Sequence, residues 1–120
     1  LSPRMLARLT QVDYDNEIAL IAIRGDAESG DIVAVARYSP MPDASTCEFA
    51  VTVGDDMHDQ GLGRLLMHRL ITIARDNGYT TMMGEILSIN QPMLTLASSL
   101  GFTLHTNPED AAVTDAVLAL

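Results

Sequence analysis

The chain has 120 residues, 48% of them hydrophobic and 4% aromatic, and 16 acidic against 7 basic side chains give a net charge of −9 at pH 7. This length fits one domain with a single core, and an acidic chain without a basic cluster argues against nucleic acid and against an anionic membrane surface as partners. No apolar run approaches the roughly 18 residues of a membrane-spanning helix, and a single cysteine, Cys47, excludes a disulfide framework and fits a reducing, cytoplasmic setting.

The first half of the chain predicts a short helix followed by three antiparallel strands. A serine and a proline open an apolar repeat of helical spacing, so a helix is expected over about 2–10. Residues 17–24 and 31–38 are apolar and rich in β-branched side chains, and the polar, glycine-containing segment between them predicts a hairpin. A third strand over 47–53 (CEFAVTV) alternates cleanly and places Glu48 on one of its faces.

The second half predicts a mixed order of helices and strands, each bounded by a cap or a glycine. The predicted elements are a long helix from Leu62 to a stop at Asn77-Gly78, a strand over 80–88, a shorter helix from Asn90 to Gly101, and a final pair of strands over 102–105 and 113–120.

The strand-helix-strand passage from 47 to 88 fixes the fold class. Two strands joined through a helix run parallel, whereas the hairpins before and after them run antiparallel. The sequence therefore predicts an α/β domain with a mixed, mostly antiparallel sheet and one parallel pair. Ligands of such sheets bind beyond the carboxyl end of the strand that feeds the helix.

At that point the sequence reads HDQGLGRL, with Gly61 and Gly63 at the start of the long helix. The first amides of a helix have no partners within it, and the helix dipole adds about half a positive charge, so this turn suits a pyrophosphate. Arg64 adds a full charge. The alternative is that the two glycines only form a tight turn. The spacing is that of neither a P-loop nor a dinucleotide fingerprint.

These segments together resemble the GNAT N-acetyltransferase superfamily. The resemblance rests on the strand CEFAVTV, the turn HDQGLGRL and the pattern N-x-x-M-x-x-L-A-x-x-L-G-F over 90–102. The superfamily's acetyl-CoA signature, Q/R-x-x-G-x-G/A, is matched at Gly61 and Gly63, with His58 where Gln or Arg is usual.

Residues 6–23 (LARLTQVDYDNEIALIAI) carry a narrower resemblance, to the start of the acetyltransferase domain of bacterial Pat-type protein lysine acetyltransferases. That motif usually reads D-Y-D-R-E, and Asn16 replaces the arginine here. The resemblance implies that the usual first strand and helix of the fold precede Leu1. Residues 1–120 would then be one acetyltransferase domain, truncated at its N-terminus, from a larger protein.

The resemblance implies acetyl-CoA as co-substrate. In GNAT proteins the end of the strand before the long helix pairs with the pantetheine arm, and the glycine turn holds the pyrophosphate. The side chain of Asn90 would reach the pantetheine amide, cap its helix, or do both. The implied cofactor-binding residues are Val51, Thr52, Val53, His58, Gln60, Gly61, Leu62, Gly63, Arg64, Leu65, Asn90 and Met93.

Acetyl transfer to a lysine needs a base, because an ammonium with a pKa of about 10.4 is almost fully protonated at pH 7. Glu48 resembles the glutamate that serves this purpose in Pat-like enzymes. The alternative is that Glu48 is simply exposed or pairs with Arg37, and Glu85 is a second candidate base. At the position where many GNAT enzymes place a tyrosine acid, this chain has Ala97, which leaves only Ser98 or Ser99 nearby.

The predicted function is acetyl-CoA-dependent transfer to a protein lysine by direct attack in a ternary complex. In the Pat-type family the acceptor is typically an acyl-CoA synthetase. The alternatives are a GNAT enzyme for small amines and a non-catalytic acyl-CoA-binding module. Cys47 is expected in the core rather than as a nucleophile, and His58, His68 and His105 are scattered, so no metal site is predicted.

Overall fold

The computed structural model describes residues 8–25, 30–54 and 61–120, which form a seven-stranded mixed sheet and two helices. The strand order across the sheet is β1-β2-β3-β4-β5-β7-β6. No helix in these ranges is long and apolar enough to cross a membrane. The elements in chain order are β1 (Arg8–Tyr14), β2 (Glu17–Arg24), β3 (Asp31–Pro40), β4 (Thr46–Val53), α1 (Leu62–Asp76), β5 (Thr81–Leu87), α2 (Gln91–Ser99), β6 (Thr103–Thr106) and β7 (Val113–Ala119).

The strand β1 corrects the prediction of a helix over 2–10. Residues 1–7 lie outside the described residues, but from Arg8 onward the chain is a strand that pairs with β2 along its whole length. The two are joined by Asp15 and Asn16, whose φ values of 45° and 67° are left-handed, as a two-residue hairpin turn requires. Pairing with β2 overrides the local helical spacing of the leucines, and the sheet has one strand more than expected.

The predicted parallel pair is confirmed, and it is short. β4 and β5 pair in parallel only at Thr46↔Thr81, Cys47↔Met82 and Glu48↔Met83. Beyond these pairs β4 continues to Val53 and β5 to Leu87, so the two strands diverge. This splay opens the sheet at the carboxyl end of β4, the place where the fold class predicts a ligand.

The alternation predicted for β4 is confirmed and defines the two faces of the sheet. Cys47 and Phe49 are buried in the core together with residues from both helices. Glu48, Ala50 and Thr52 are exposed on the opposite side, which is named the open face below. Both helices pack on the Phe49 face, since Leu66 of α1 and Ala97 of α2 belong to the same buried cluster as Phe49.

Gly84 lets the aromatic ring of Phe49 fill the start of the splay. A Cβ built on Gly84 would lie 2.5 Å from Phe49 Cε1, which is closer than real Cβ atoms come. The same ring meets Phe102 edge to face, with 5.2 Å between the ring centroids. The aromatic pair therefore packs where the two strands diverge, and it needs a bare backbone at position 84.

Candidate active site

A cavity of about 350 Å³ lies where β4 and β5 diverge, between the N-terminal turns of α1 and α2. Its lining mixes backbone-rich and polar positions with apolar side chains. The lining residues of this splay cavity are Val51, Thr52, Val53, Gly61, Gly63, Arg64, Asn90, Pro92, Met93 and Leu96.

Most of the predicted cofactor-binding residues line this one cavity. Of the others, Leu62 is fully buried in the core and Leu65 is 37% exposed, so their side chains are not part of its wall. His58 and Gln60 lie outside the described residues. For Leu62 and Leu65 the prediction rests on the amides of the first turn of α1.

The start of α1 has the properties of an anion site. Gly61 precedes the helix with a left-handed φ of 72°, so its side-chain-free backbone makes the sharp entry. No side chain caps the helix at this residue, and no acidic residue lies in its first turn. The first amides of α1 therefore have neither a partner within the helix nor a capping side chain, and the positive end of the helix dipole lies beside the cavity that Gly61 and Gly63 line.

Gly63 brings α1 close to both α2 and β4. A Cβ at this position would lie 3.2 Å from Leu96 Cδ2 and 3.7 Å from Val53 Cγ2. Glycine thus allows the side chains of Leu96 and Val53 to form an apolar wall next to the helix start. An anion site beside an apolar wall fits a ligand that carries both phosphate and an aliphatic arm.

Arg64 connects the two helices at the rim of the cavity. Its guanidinium Nη2 donates a hydrogen bond to the hydroxyl of Ser99. The Ser99 hydroxyl in turn donates to the carbonyl oxygen of Leu96 at 2.7 Å. Ser99 is therefore engaged as both donor and acceptor, which makes it a poor source of a proton for a leaving group.

Asn90 caps α2 and lines the cavity at the same time. Its side-chain oxygen accepts from the amide of Met93 at 3.2 Å, the bond expected of a helix N-cap. Two further lining residues, Pro92 and Leu96, were missed from the sequence. Leu96 lies three residues after Met93, so helical spacing from Met93 is the signal that would have found it. Pro92 directly precedes Met93, and only the fold places it on the cavity wall.

Glu48 lies on the open face, at the last parallel pair before the splay. It lines a hollow of about 230 Å³ with Arg37 and Glu85. Its carboxylate is exposed, and no ion pair joins the described residues Glu48 and Arg37. This Glu48 hollow places two carboxylates and one guanidinium on the side of the sheet opposite the helices.

The remaining predicted residues have structural roles. Ala97 is fully buried, so the helix position where many relatives have a tyrosine faces the core here. Cys47 is also fully buried, burial raises the pKa of its thiol to about 11, and its sulfur lies 3.7 Å from the carbonyl oxygen of Thr81. Such a thiol is protonated at neutral pH, as expected of a core residue rather than a nucleophile.

Comparison with known families assigns the chain to a class of proteins. The acetyltransferase (GNAT) family matches residues 3–102, which is most of the chain. The class is that of GNAT acetyltransferases, and the chain belongs to this family. The expected family and fold are confirmed.

Three known proteins are similar to most of the chain. It is 35% identical over 111 residues to Acetyltransferase PA5475 of Pseudomonas aeruginosa, covering 92% of the chain and 59% of that protein. It is 37% identical over 105 residues to the L-amino acid N-acyltransferase MnaT of Escherichia coli (78% and 61%) and 32% identical over 98 residues to Acetyltransferase Pat of Mycolicibacterium smegmatis (81% and 29%). The chain thus spans less than two thirds of each relative.

Solved structures agree with the fold. The GNAT domain of Streptomyces lividans PAT superposes with a TM-score of 0.75 at 23% identity, covering 90% of this chain and 64% of that one. The acetyltransferase yncA of Salmonella typhimurium, solved with acetyl-CoA, superposes with a TM-score of 0.70 at 27% identity, covering 87% and 65%.

Proposed function

We propose that the chain transfers the acetyl group of acetyl-CoA to the side-chain amine of a protein lysine, by direct attack in a ternary complex. The observation that carries this proposal is the meeting of two sites at the splay. The splay cavity opens on the helix side of β4, and Glu48 stands on the other face of the same strand, three residues before Val51. Donor and acceptor would approach the strand from opposite sides.

The splay cavity fits the donor in both of its parts. The uncapped amides of α1 beyond Gly61, with Arg64 at the rim, suit the pyrophosphate, and Val53, Met93 and Leu96 suit the pantetheine arm. When bound, acetyl-CoA supplies the activated acetyl group as a thioester. In this proposal Asn90 turns its free amide hydrogens toward the pantetheine, since its oxygen is already used as the helix cap.

The β4 edge would stabilise the negative charge that develops on the acyl oxygen. Beyond Glu48 this edge has no partner in β5, while the other edge remains paired with β3 through Val53. Unpaired amides in a strand edge are ready donors, and one well-placed donor of this kind lowers a barrier by about 3 kcal/mol.

Glu48 would take the proton from the acceptor ammonium, directly or through a water. A carboxylate at the entrance of the splay also draws a cationic side chain toward the reaction centre. Glu85, in the same hollow, adds a second negative charge and is the alternative base. We also propose a cytoplasmic location. The free thiol of Cys47 supports it, because thiols remain reduced in that compartment.

The test is Glu48→Gln with Glu85→Gln as the matched control. Loss of a general base is expected to lower kcat by about a hundredfold or more, while acetyl-CoA affinity by calorimetry stays unchanged. The acceptors are an acyl-CoA synthetase and a peptide that contains one lysine. Full turnover by Glu48→Gln would refute Glu48 as the base, and a large loss confined to Glu85→Gln would transfer the role to Glu85.

A small amine is the second candidate acceptor, and Arg37 favours it. The relative MnaT is named an L-amino acid N-acyltransferase, and an amino acid presents a carboxylate beside its amine. Arg37 and Glu48 line one hollow without pairing with each other, so each is free to meet the opposite charge of such a zwitterion. Turnover of free amino acids without turnover of lysine peptides would establish this acceptor class. Acetyl-CoA binding without thiol release from any amine would instead indicate a non-catalytic module.

A further inference from the structure

A recess of about 380 Å³ lies at the end of the sheet opposite the splay cavity, where the β1–β2 turn meets the C-terminus of α1. It collects all three tyrosines of the chain, Tyr14, Tyr38 and Tyr79. The D-Y-D-N-E segment over 13–17 lines it too, and none of the lining residues is basic. We name this feature the tyrosine recess.

The walls of the tyrosine recess are fixed by local contacts. The Tyr38 hydroxyl accepts a hydrogen bond from Asn77 Nδ2 at 2.9 Å, and the Tyr38 ring meets Tyr79 edge to face at 5.3 Å between centroids. Asp13 accepts from Gln11 Nε2 at 3.0 Å. Tyr14, by contrast, is 69% exposed at the mouth of the recess.

Three physical features of the recess favour a cation. The ring of Tyr14, which is 69% exposed, attracts ammonium and guanidinium groups, and the carboxylates of Asp13, Asp15 and Glu17 add negative charge. Asn77 follows the last turn of α1, so the negative end of the helix dipole also points here. An arginine or lysine side chain matches all three.

Tyr14 and Glu17 carry the recess onto the open face, whereas Tyr38 and Asn77 lie on the side of the sheet where the helices pack. A shallower depression shares Tyr14 and Glu17 with the recess and extends to Arg37, which itself lines the Glu48 hollow. The register gives the spacing: Glu48 pairs with Ser39, and Tyr14 pairs with Glu17. One step beyond the last β2–β3 pair, Glu17 lies beside Ser39. At about 4.8 Å per strand, Glu17 is about 10 Å and Tyr14 about 14 Å from Glu48.

We propose that this surface binds an extended basic segment of the acceptor protein. The acceptor lysine lies at Glu48, and a second arginine or lysine, about three or four residues away in sequence, occupies the tyrosine recess beside Tyr14 and Glu17. The separation follows from the rise of about 3.4 Å per residue in an extended chain. Arg37, between the two sites, donates to main-chain carbonyl groups of the bound segment. The inference rests on the proposed protein acceptor and names its recognition motif.

Binding is tested first, without catalysis. A peptide with arginine but no lysine is titrated into the full chain by NMR or calorimetry, and the same peptide with citrulline in place of arginine is the neutral control. We expect the citrulline peptide to bind about five- to tenfold more weakly. Glu17→Gln and Tyr14→Ala should abolish this difference, whereas Asp31→Asn and Ile89→Ala, which change exposed residues elsewhere, should preserve it. Equal binding of both peptides overturns the proposal.

Kinetics then separate this inference from the proposed function. With one lysine and an arginine three or four residues away, the arginine peptide should have a KM about five- to tenfold below that of the citrulline peptide, with kcat unchanged. If the enzyme acetylates both peptides with equal KM values, the recess does not bind the second cation, and the proposal of a protein acceptor is unaffected. If binding depends on arginine but no peptide is acetylated, the proposal of a protein acceptor is refuted, and the proposed binding of a cation in the recess is retained.

Discussion

Gly63 lies so close to Leu96 that a Cβ at position 63 would be 3.2 Å from Leu96 Cδ2. The contact joins the first turn of α1 to α2 beside the splay cavity. It explains why a glycine occupies a helical position where alanine would be favoured by about 1 kcal/mol in isolation.

Gly63→Ala is expected to weaken acetyl-CoA binding while changing stability little. The new methyl group displaces the flexible end of Leu96 into the cavity, and the gain in helix propensity offsets that strain. Gly78→Ala is the control, because Gly78 has a φ of 91° at the other end of α1 and open space around it. The control should lose stability and keep its affinity. Calorimetry and thermal unfolding distinguish the two, and unchanged affinity in Gly63→Ala would contradict the placement of the donor.

Gly84→Ala is expected to destabilise the fold by about 1–3 kcal/mol, the usual cost of overpacking. A methyl group there would lie 2.5 Å from Phe49 Cε1, and the ring is held by Phe102. Phe49→Leu in the same chain should recover part of the loss by making room. A double-mutant cycle from urea unfolding measures the coupling, and strict additivity of the two changes would argue against the contact.

Two substitutions of Asn90 should distinguish its contribution to stability from its contribution to acetyl-CoA binding. Asn90→Ala removes the cap that accepts from the Met93 amide and should cost about 1 kcal/mol. Asn90→Asp keeps an oxygen acceptor and therefore most of the stability, but it places a negative charge beside the splay cavity. In Asn90→Asp, acetyl-CoA affinity should therefore fall, while the free energy of unfolding stays close to that of the wild type. Equal affinity for the wild type and Asn90→Asp would exclude Asn90 from the donor site.

The buried thiol of Cys47 is expected to lower the free energy of unfolding at alkaline pH. Burial raises the pKa of its thiol from 9.0 to about 11, so the unfolded chain loses this proton before the folded one does. The free energy of unfolding should decrease as the pH rises through this interval, because the unfolded state then binds fewer protons. Burial also raises the pKa of Tyr38, which acts in the same direction above its ordinary value of 10.0. Urea unfolding at pH 8, 9 and 10 measures the slope. Cys47→Ala should have a flatter slope, and an identical slope would contradict the assignment.

Much of the second half of the chain could be predicted from the sequence, because its signals are local. The cap at Asn90, the glycines at 61 and 63 and the stop at Asn77-Gly78 each act within a few residues. Local signals failed at 8–10, where the spacing of Met5, Leu6 and Leu9 predicts a helix but the chain is already in strand β1. There the deciding interactions are the ladder bonds to β2, which no local pattern records.

The sequence by itself determined the family, the alternation of β4 and the glycine turn at the start of α1, because these depend on residue type and spacing along one segment. Only the tertiary structure decided that β4 and β5 part after Glu48, that Arg64 reaches Ser99 and that the three tyrosines meet in one recess. The physical reason is distance along the chain. These groups are separated by dozens of residues, and the sheet brings them together through side-chain packing and strand register.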